Sequence, residues 1–353
     1  MTIDPLRSAV DRVAVGPTLS RALSRSEACA AMLAGLREDA DPVTLAAFLV
    51  ALRVKGETDD ELLGVMDAVR ARAVRAPVDV DELVVVADVY DGYRRSPCLT
   101  PFLPPVLAAC GVPTVLEGTS GLGPRIGVSA AQVLAAAGHV VDDPPAVAAR
   151  RLATAGLGWA YLDQDRACPE LARLLPLRNA LVKRSALHAV ERYAGALVAP
   201  RVHLVTGFVH GRFGELYGQL GEAAGFASSL VVRGLEGGPI LSGDRQLRWV
   251  AWRDGAPRHG QEIPATGGAI EGADEVGVGE PVGREVGDAL AAGTAALDGE
   301  RGPAFRSVSL SAGLALAHVG RVHGLAEGVA MARGVLLDGS AARRWREAAP
   351  RGA

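Results

Sequence analysis

The chain is nearly without lysine: Lys55 and Lys183 are the only two, and arginine supplies the rest of the positive charge. Genome composition alone produces such a bias, so abundant arginine does not by itself indicate an anionic ligand. Aromatic residues make up only 4%, too few for a protein built on base-stacking platforms. Cys29, Cys98, Cys110 and Cys168 form no CxxC pair and have no histidine cluster beside them. That argues against a disulfide scaffold or a zinc site and fits a reducing cytoplasm. No apolar run reaches the ~18 residues of a membrane span, and Met1–Arg7 lacks the apolar core of a signal peptide. A cytoplasmic protein with no membrane partner is expected. The 37 basic and 40 acidic residues nearly cancel, giving a net charge of −3. This excludes an overall basic coat but allows a local basic groove.

What is present is a large apolar fraction, 49% of 353 residues, enough for two domains at ~100–200 residues each. Residues 1–75 carry helical patterning. Ser24 with Glu27 and Thr58 with Glu61 have capping-box spacing. Asp41-Pro42 reads as an N-cap followed by proline at the first helical position. From residue 83 the pattern becomes short continuous apolar runs, Leu83–Ala87 and Val112–Leu116, alternating with helices. Strand character returns at 202–209 and 229–233, which implies a mainly parallel sheet. Residues 254–282 read as a hairpin or long loop, three more helices are expected over 285–337, and the tail from Ala341 reads as frayed. The predicted fold class is α/β: a small all-helical domain plus a larger α/β domain with a mainly parallel central sheet. The predicted boundaries are 1–80 for the helical unit, rejoined by about 165–195, with 81–164 and 196–345 forming the α/β domain.

Several residues are candidates for anion binding. Residues 168–197 are basic, with Arg178, Lys183, Arg184 and Arg192, and His188 lies four residues after Arg184, on the same helix face. These are either a solvated face or an anion-binding surface lining an interdomain cleft. Arg94 and Arg95 are loop arginines. The glycine-rich loop 118–125, ending in Arg125, is either a phosphate cradle or a plain crossover. His203 and His210 read as structural. No nucleophile–base pair is legible, so no catalytic residue is assigned.

The segment Ala51–Thr58, the Arg178–His188 stretch and the turn Gly234-Leu235-Glu236-Gly237 resemble the anthranilate phosphoribosyltransferases of glycosyltransferase family 3. The resemblance runs from about residue 8 to 338. It implies a nucleoside phosphorylase/phosphoribosyltransferase-like fold and a homodimer through the helical domains. The donor-site motifs depart from the family pattern. Its GTGGD loop is Asp88-Val89-Tyr90-Asp91-Gly92 here, keeping Asp91 and Gly92, while Val89 and Tyr90 take up room that phosphate needs. The NIST element corresponds to Cys98-Leu99-Thr100-Pro101, where Thr100 keeps a donor and Pro101 has no N–H. KHGN corresponds to Leu116-Glu117-Gly118-Thr119, so a lysine is lost and a carboxylate gained. The paired Asp-Glu that holds magnesium corresponds to Glu236-Gly237. Asp91, Gly92, Thr100, Gly118, Thr119 and Glu236 are therefore degenerate donor-site positions. Arg178 and Arg184 match the family's RxxLxxR, but the Phe-Asn that follows is Leu187-His188, closer to the divergent YbiB branch. That branch keeps the fold, lacks the donor motifs and is associated with nucleic acid.

Two expectations follow. In the first, the protein binds single-stranded or non-specific nucleic acid through Arg94, Arg95, Arg125, Arg178, Lys183, Arg184, His188 and Arg192, with no cofactor and no metal. In the second, it is an active glycosyl- or phosphoribosyltransferase with an altered donor or acceptor. Magnesium and phosphoribosyl pyrophosphate enter only under that second reading.

Overall fold

The computed structural model describes residues 4–16, 18–89, 91–243, 246–262 and 281–349. The first helices start where their caps dictate. Ser24 and Glu27 close a complete capping box on Arg25–Gly35, and Thr58 and Glu61 do the same on Asp59–Arg72. The Asp41 side chain accepts from the N–H groups of Val43 and Thr44 at the head of Pro42–Lys55. Glu61 has a second role. It is fully buried, and it also accepts from Leu23 N–H at 3.0 Å and Lys55 Nζ at 2.8 Å. With Pro5–Val13 these helices form a bundle whose core includes Met32, Leu45, Phe48 and Leu52.

The strands are β1 (Ala76–Pro77), β2 (Glu82–Asp88), β3 (Thr114–Gly118), β4 (Trp159–Asp163), β5 (Leu197–Val198), β6 (Arg201–Gly207), β7 (Ser228–Val232), β8 (Leu247–Arg253) and β9 (Ala256–Glu262). Seven of them form one sheet in the order β4-β3-β2-β6-β7-β8-β9. It is parallel from β4 to β7, then turns antiparallel through the β8–β9 hairpin. Side chains alternate across β2. Leu83, Val85 and Ala87 face the core shared with the bundle, and Val84 and Val86 face the core under the C-terminal helices. Both faces are covered, which explains the continuous apolar runs in the sequence.

The chain passes between bundle and sheet three times, and the three crossings are laced together. Val74 N–H donates to Ala167 O and Ala76 N–H to Ala196 O, both at 2.8 Å, and β1 pairs with β5 in parallel.

Several expectations need correction. The run 168–197 breaks into short pieces, Pro169–Ala172, Leu175–Ala180 and Ala186–Val190. The tail is not frayed through Ala348. Ser340–Ala348 is a helix whose Trp345 stacks on Trp159, centroids 5.8 Å apart and planes 2° apart. The hairpin expected in 254–282 begins with β9; 263–280 lie outside the described residues. The apolar faces around 28–36 and 45–52 are largely buried inside the bundle. The large apolar residues left open on Pro42–Lys55 are Val43, Val50 and Val54.

Candidate functional site

Strand order reverses at β2. The chain proceeds outward one way through β3 and β4, then returns to place β6 on the other side of β2. The loops after β2 and β6 therefore splay apart, and in open α/β sheets ligands bind at such a switch point. A cavity of about 140 Å³ opens there, with Asp91 from the β2 loop, Phe208, His210 and Arg212 from the β6 loop, and Arg184 and His188 from the helical segment. Arg53 of the bundle also reaches it.

Most of the predicted basic residues are already engaged inside the protein. Arg178 is buried with its side chain 1% exposed, and its guanidinium lies 2.8 Å from the Glu191 carboxylate. Gln164 donates to that same Glu191 oxygen. Burial takes Arg178 out of a solvated face and out of an open anion-binding surface alike, because the carboxylate that neutralises it is buried beside it. Arg184 pairs with buried Asp91. Arg192 donates to Thr206 Oγ1 at 2.7 Å, Gly207 O and His188 O, and lies over the Tyr217 ring at 4.1 Å. His188 Nδ1 accepts from Ser185 N–H, so its Nε2–H donates to Gly123 O at 3.0 Å. Burial pushes this imidazole down to about 4, against the pull of Glu191. Lys183 and Arg94 are exposed.

The glycine-rich loop is tied to the same helical segment. Asn179 accepts from Gly123 N–H and donates to Gly121 O. Of the degenerate donor positions, Asp91 and Gly92 sit in the β2 loop. Gly92 has φ +85°, and a Cβ there would lie 2.3 Å from Gly127 backbone atoms. Thr100 is buried and shares a hydrogen bond with Tyr93, which also reaches Asp88. Gly118 ends β3 and Thr119 follows it, both buried. Tyr90 lies outside the described residues. Glu236 sits in a left-handed conformation at φ +50°, and its Oε1 accepts from three successive N–H groups, Arg94 at 3.1 Å and Arg95 and Ser96 at 2.8 Å. Arg95 and Arg125 lie 3.6 and 3.8 Å from its other oxygen.

A paired-carboxylate magnesium grip does not fit these residues. The Glu236 carboxylate is held by amides and arginines. At Gly237, φ +98°, a Cβ would meet the Val209 side chain at 2.3 Å, so a second acid there would strain the turn and have to displace Val209. No cluster of three or more His, Cys, Asp or Glu suited to a metal occurs among the described residues.

The carboxylate gained at Glu117 is not an open charge. It is buried in β3, and burial pushes its carboxyl up to about 7, opposed by Arg70. A group whose pKa rises from 4.5 to about 7 on folding gives stability that is full below pH 4.5 and lost as pH climbs through 7. That loss is about 3 kcal/mol. Urea unfolding at pH 5 and pH 8 should show Glu117→Gln improving relative to wild type by about this amount on going to the higher pH. An unchanged difference would mean that Glu117 ionises normally.

Sequence reasoning misses Arg53, Phe208 and Arg212 as cavity residues and reads His210 as structural. The available signal is Gly207-Phe208-Val209-His210-Gly211-Arg212 at the carboxyl end of a parallel strand. His203 is structural as expected, but with partners the sequence does not suggest: Glu82 on one nitrogen, Ser228 on the other, and His318 beyond Ser228.

A helical bundle beside a mostly parallel sheet, with polar loops gathered at its carboxyl edge, defines a glycosyl transferase architecture. Residues 7–73 match the family model described as "Glycosyl transferase family, helical bundle domain". The chain is 30% identical over 349 residues to the anthranilate phosphoribosyltransferase of Bradyrhizobium sp. (strain BTAi1), covering 97% of each, and 31% identical over 325 residues to that of Methylorubrum extorquens (strain PA1), covering 90% and 91%. Among solved structures it is similar to the anthranilate phosphoribosyltransferase from Thermus thermophilus, with TM-score 0.74, 24% identity and 98% of each chain covered. The enzyme from Saccharomyces cerevisiae in complex with PRPP and Mg matches at TM-score 0.74 and 14% identity, covering 99% and 98%, a likeness of fold. The chain belongs to the anthranilate phosphoribosyltransferase family, glycosyltransferase family 3. No helix among the described residues is long and apolar enough to cross a membrane.

Proposed function

We propose that the protein is a pentosyl transferase with an altered donor site, taking a small anionic acceptor in the cavity between β2, β6 and the helical segment. The observation that carries this reading is Arg212. Its guanidinium stacks over Phe213 at 4.9 Å and has no carboxylate partner among the described residues. Phe208, Phe213 and Leu62 give the same cavity an apolar wall. A cation beside apolar walls suits a flat carboxylate, with the charged end on arginine and the ring on the aromatics. The near-complete match to transferases supports the same class. Transfer in this family is electrostatic stabilisation of a cation-like sugar and a departing anion, which needs few dedicated side chains. The lost lysine at Leu116 and the lost second acid at Gly237 argue against the usual magnesium–phosphoribosyl pyrophosphate grip. Titration calorimetry with a set of aromatic carboxylates is the test. At least one should bind, and Arg212→Ala should weaken it tenfold, or about 1.4 kcal/mol, near the low end for a hydrogen bond to a charged group. No binding by any of them at millimolar concentration would discard this reading.

The exposure of Arg94, Arg95 and Lys183 favours a second reading, the nucleic-acid binding associated with the YbiB branch. Its motif support is the loss of the donor elements together with Arg184 and His188. This reading proposes a homodimer that extends the footprint, with Val43, Val50 and Val54 in the contact. Three phosphate contacts on a single strand give a log–log salt slope of roughly −2 per subunit, at ~0.7 per contact. Fluorescence anisotropy with a labelled oligonucleotide measures it, and sedimentation of the same sample gives the assembly. A monomer with no binding at ~50 mM salt would exclude it.

A further inference from the structure

Three residues of the helix Arg212–Ala223 line the cavity, and they grade from water to interior. Arg212 is exposed, Phe213 is half-buried and Tyr217 is 8% exposed. Phe213 and Tyr217 are four positions apart, hence on one helix face, and their ring centroids lie 5.3 Å apart. Helical side chains lean toward the N-terminus of their own helix. The Tyr217 ring therefore leans back toward Phe213 and the carboxyl edge of the sheet, where the cavity opens.

Tyr217 is held firmly. Its ring packs under the Arg192 guanidinium, 4.1 Å from the centroid, and Arg192 is itself fixed by Thr206, Gly207 and His188. Its backbone carbonyl accepts from the Tyr193 hydroxyl at 2.8 Å. Its own hydroxyl has no partner among the described residues, and the oxygen is not sealed among apolar atoms. The other described tyrosines all pair their hydroxyls: Tyr93 with Asp88 and Thr100, Tyr161 with Asp163, and Tyr193 with the carbonyl of Tyr217. Phenylalanine would pack equally well against Arg192 and Phe213, so packing does not account for the hydroxyl. A hydroxyl left unpaired on a nearly buried residue that lines a cavity calls for a partner from outside the chain.

We propose that Tyr217 is a specificity-determining residue of this cavity: its hydroxyl donates a hydrogen bond to an oxygen on an aromatic acid, at the end of the ring remote from the carboxylate that Arg212 holds. This deepens the transferase reading and rests on it for the carboxylate end. The burial gradient sets the direction. The carboxylate stays near water at Arg212, and the ring passes Phe213 toward Tyr217 in the interior. The Arg192 cation over the ring face draws electron density from the phenol, which makes its O–H the better donor. The acceptor class selected is a hydroxybenzoate or a similar small ring acid with its oxygen away from the carboxylate.

The test is calorimetric titration of the full-length protein with benzoate, para-fluorobenzoate, meta-hydroxybenzoate and para-hydroxybenzoate. At least one hydroxybenzoate should bind about tenfold tighter than benzoate, the size of one net hydrogen bond. The fluoro compound has a similar shape but is a poor hydrogen-bond acceptor, and should bind close to benzoate. Tyr217→Phe should bring the favoured hydroxybenzoate down to the affinity of benzoate, whereas Arg212→Ala should weaken all the acids together. A Tyr217 that served only packing would, in Tyr217→Phe, leave the ratios between the acids as in wild type, and that result overturns the proposal. Equal wild-type affinity for benzoate and both hydroxybenzoates overturns it too, while leaving the transferase reading standing. If none of the acids binds, both fall together. Should Tyr217→Phe fail to melt cooperatively, Tyr217→Met removes the same hydroxyl and carries the same comparison.

Discussion

Arg178→Ala should lower the free energy of unfolding by about 3–5 kcal/mol, the usual result of stranding one member of a buried ion pair. Both side chains are essentially sealed, at 1% and 0% exposure. Removing the guanidinium leaves the Glu191 carboxylate in an apolar setting with Gln164 as its remaining donor. Replacing both partners, as Arg178→Met with Glu191→Leu, should recover most of the loss, since two charges no longer have to be dehydrated. Urea denaturation of wild type and the two variants measures this directly. The result also bears on function. If Arg178 instead contacted a ligand at the surface, Arg178→Ala would leave stability within about 0.5 kcal/mol of wild type and change only binding.

Gly92→Ala is expected to be comparably severe, for a backbone reason. The residue holds φ +85°, and an added methyl would sit 2.3 Å from the carbonyl carbon and oxygen of Gly127. The two loops are joined at that point: Gly127 N–H donates to Asp91 O, and Tyr93 and Val128 exchange hydrogen bonds. The alanine can neither adopt the turn cheaply nor fit the gap. Left-handed strain of about 1–3 kcal/mol adds to overpacking of about 1–3 kcal/mol. The β2 loop must move, taking with it Asp91 and the amides of residues 94–96. The melting temperature should therefore fall and anion binding weaken in the same variant. A wild-type melt would show that the loops separate without cost.

The parts of the fold legible in the sequence are those fixed by neighbours in the chain. Ser24, Asp41 and Thr58 cap their helices through residues two or three positions away, so spacing alone reveals them. Leu83–Ala87 is recognisable because a strand buried on both faces is apolar throughout. Trp159–Asp163 escapes the same reading because Trp159 and Tyr161 bring polar groups into the run, and that of Trp159 is satisfied far away: its Nε1–H donates to Arg344 O, and its ring stacks on Trp345. The C-terminal helix escapes for the matching reason, since half of that contact belongs to it. At the site, the arginines are visible in the sequence but their partners are not. Arg184 meets Asp91 across 93 positions, and Glu236 meets the amides of residues 94–96 across about 140. A helix rich in arginine looks the same in sequence whether it faces water or a buried acid.

The lacing of the three crossings between bundle and sheet limits how these two parts can move. Had the crossings been scattered, the cleft could open only by bending several independent linkers. Here Val74, Ala76 and Val78 each hydrogen-bond to another crossing, at Ala167, Ala196 and Val198, so the strands of the connection form one small knuckle. Rotation of the bundle against the sheet must turn about it, as a door turns on a single hinge pin. The cavity wall formed by Arg53 would travel with the bundle, while Arg212 and Asp91 would stay with the sheet. Opening would thus widen the mouth between Arg53 and Arg212 while keeping the sheet-borne loops in register with one another.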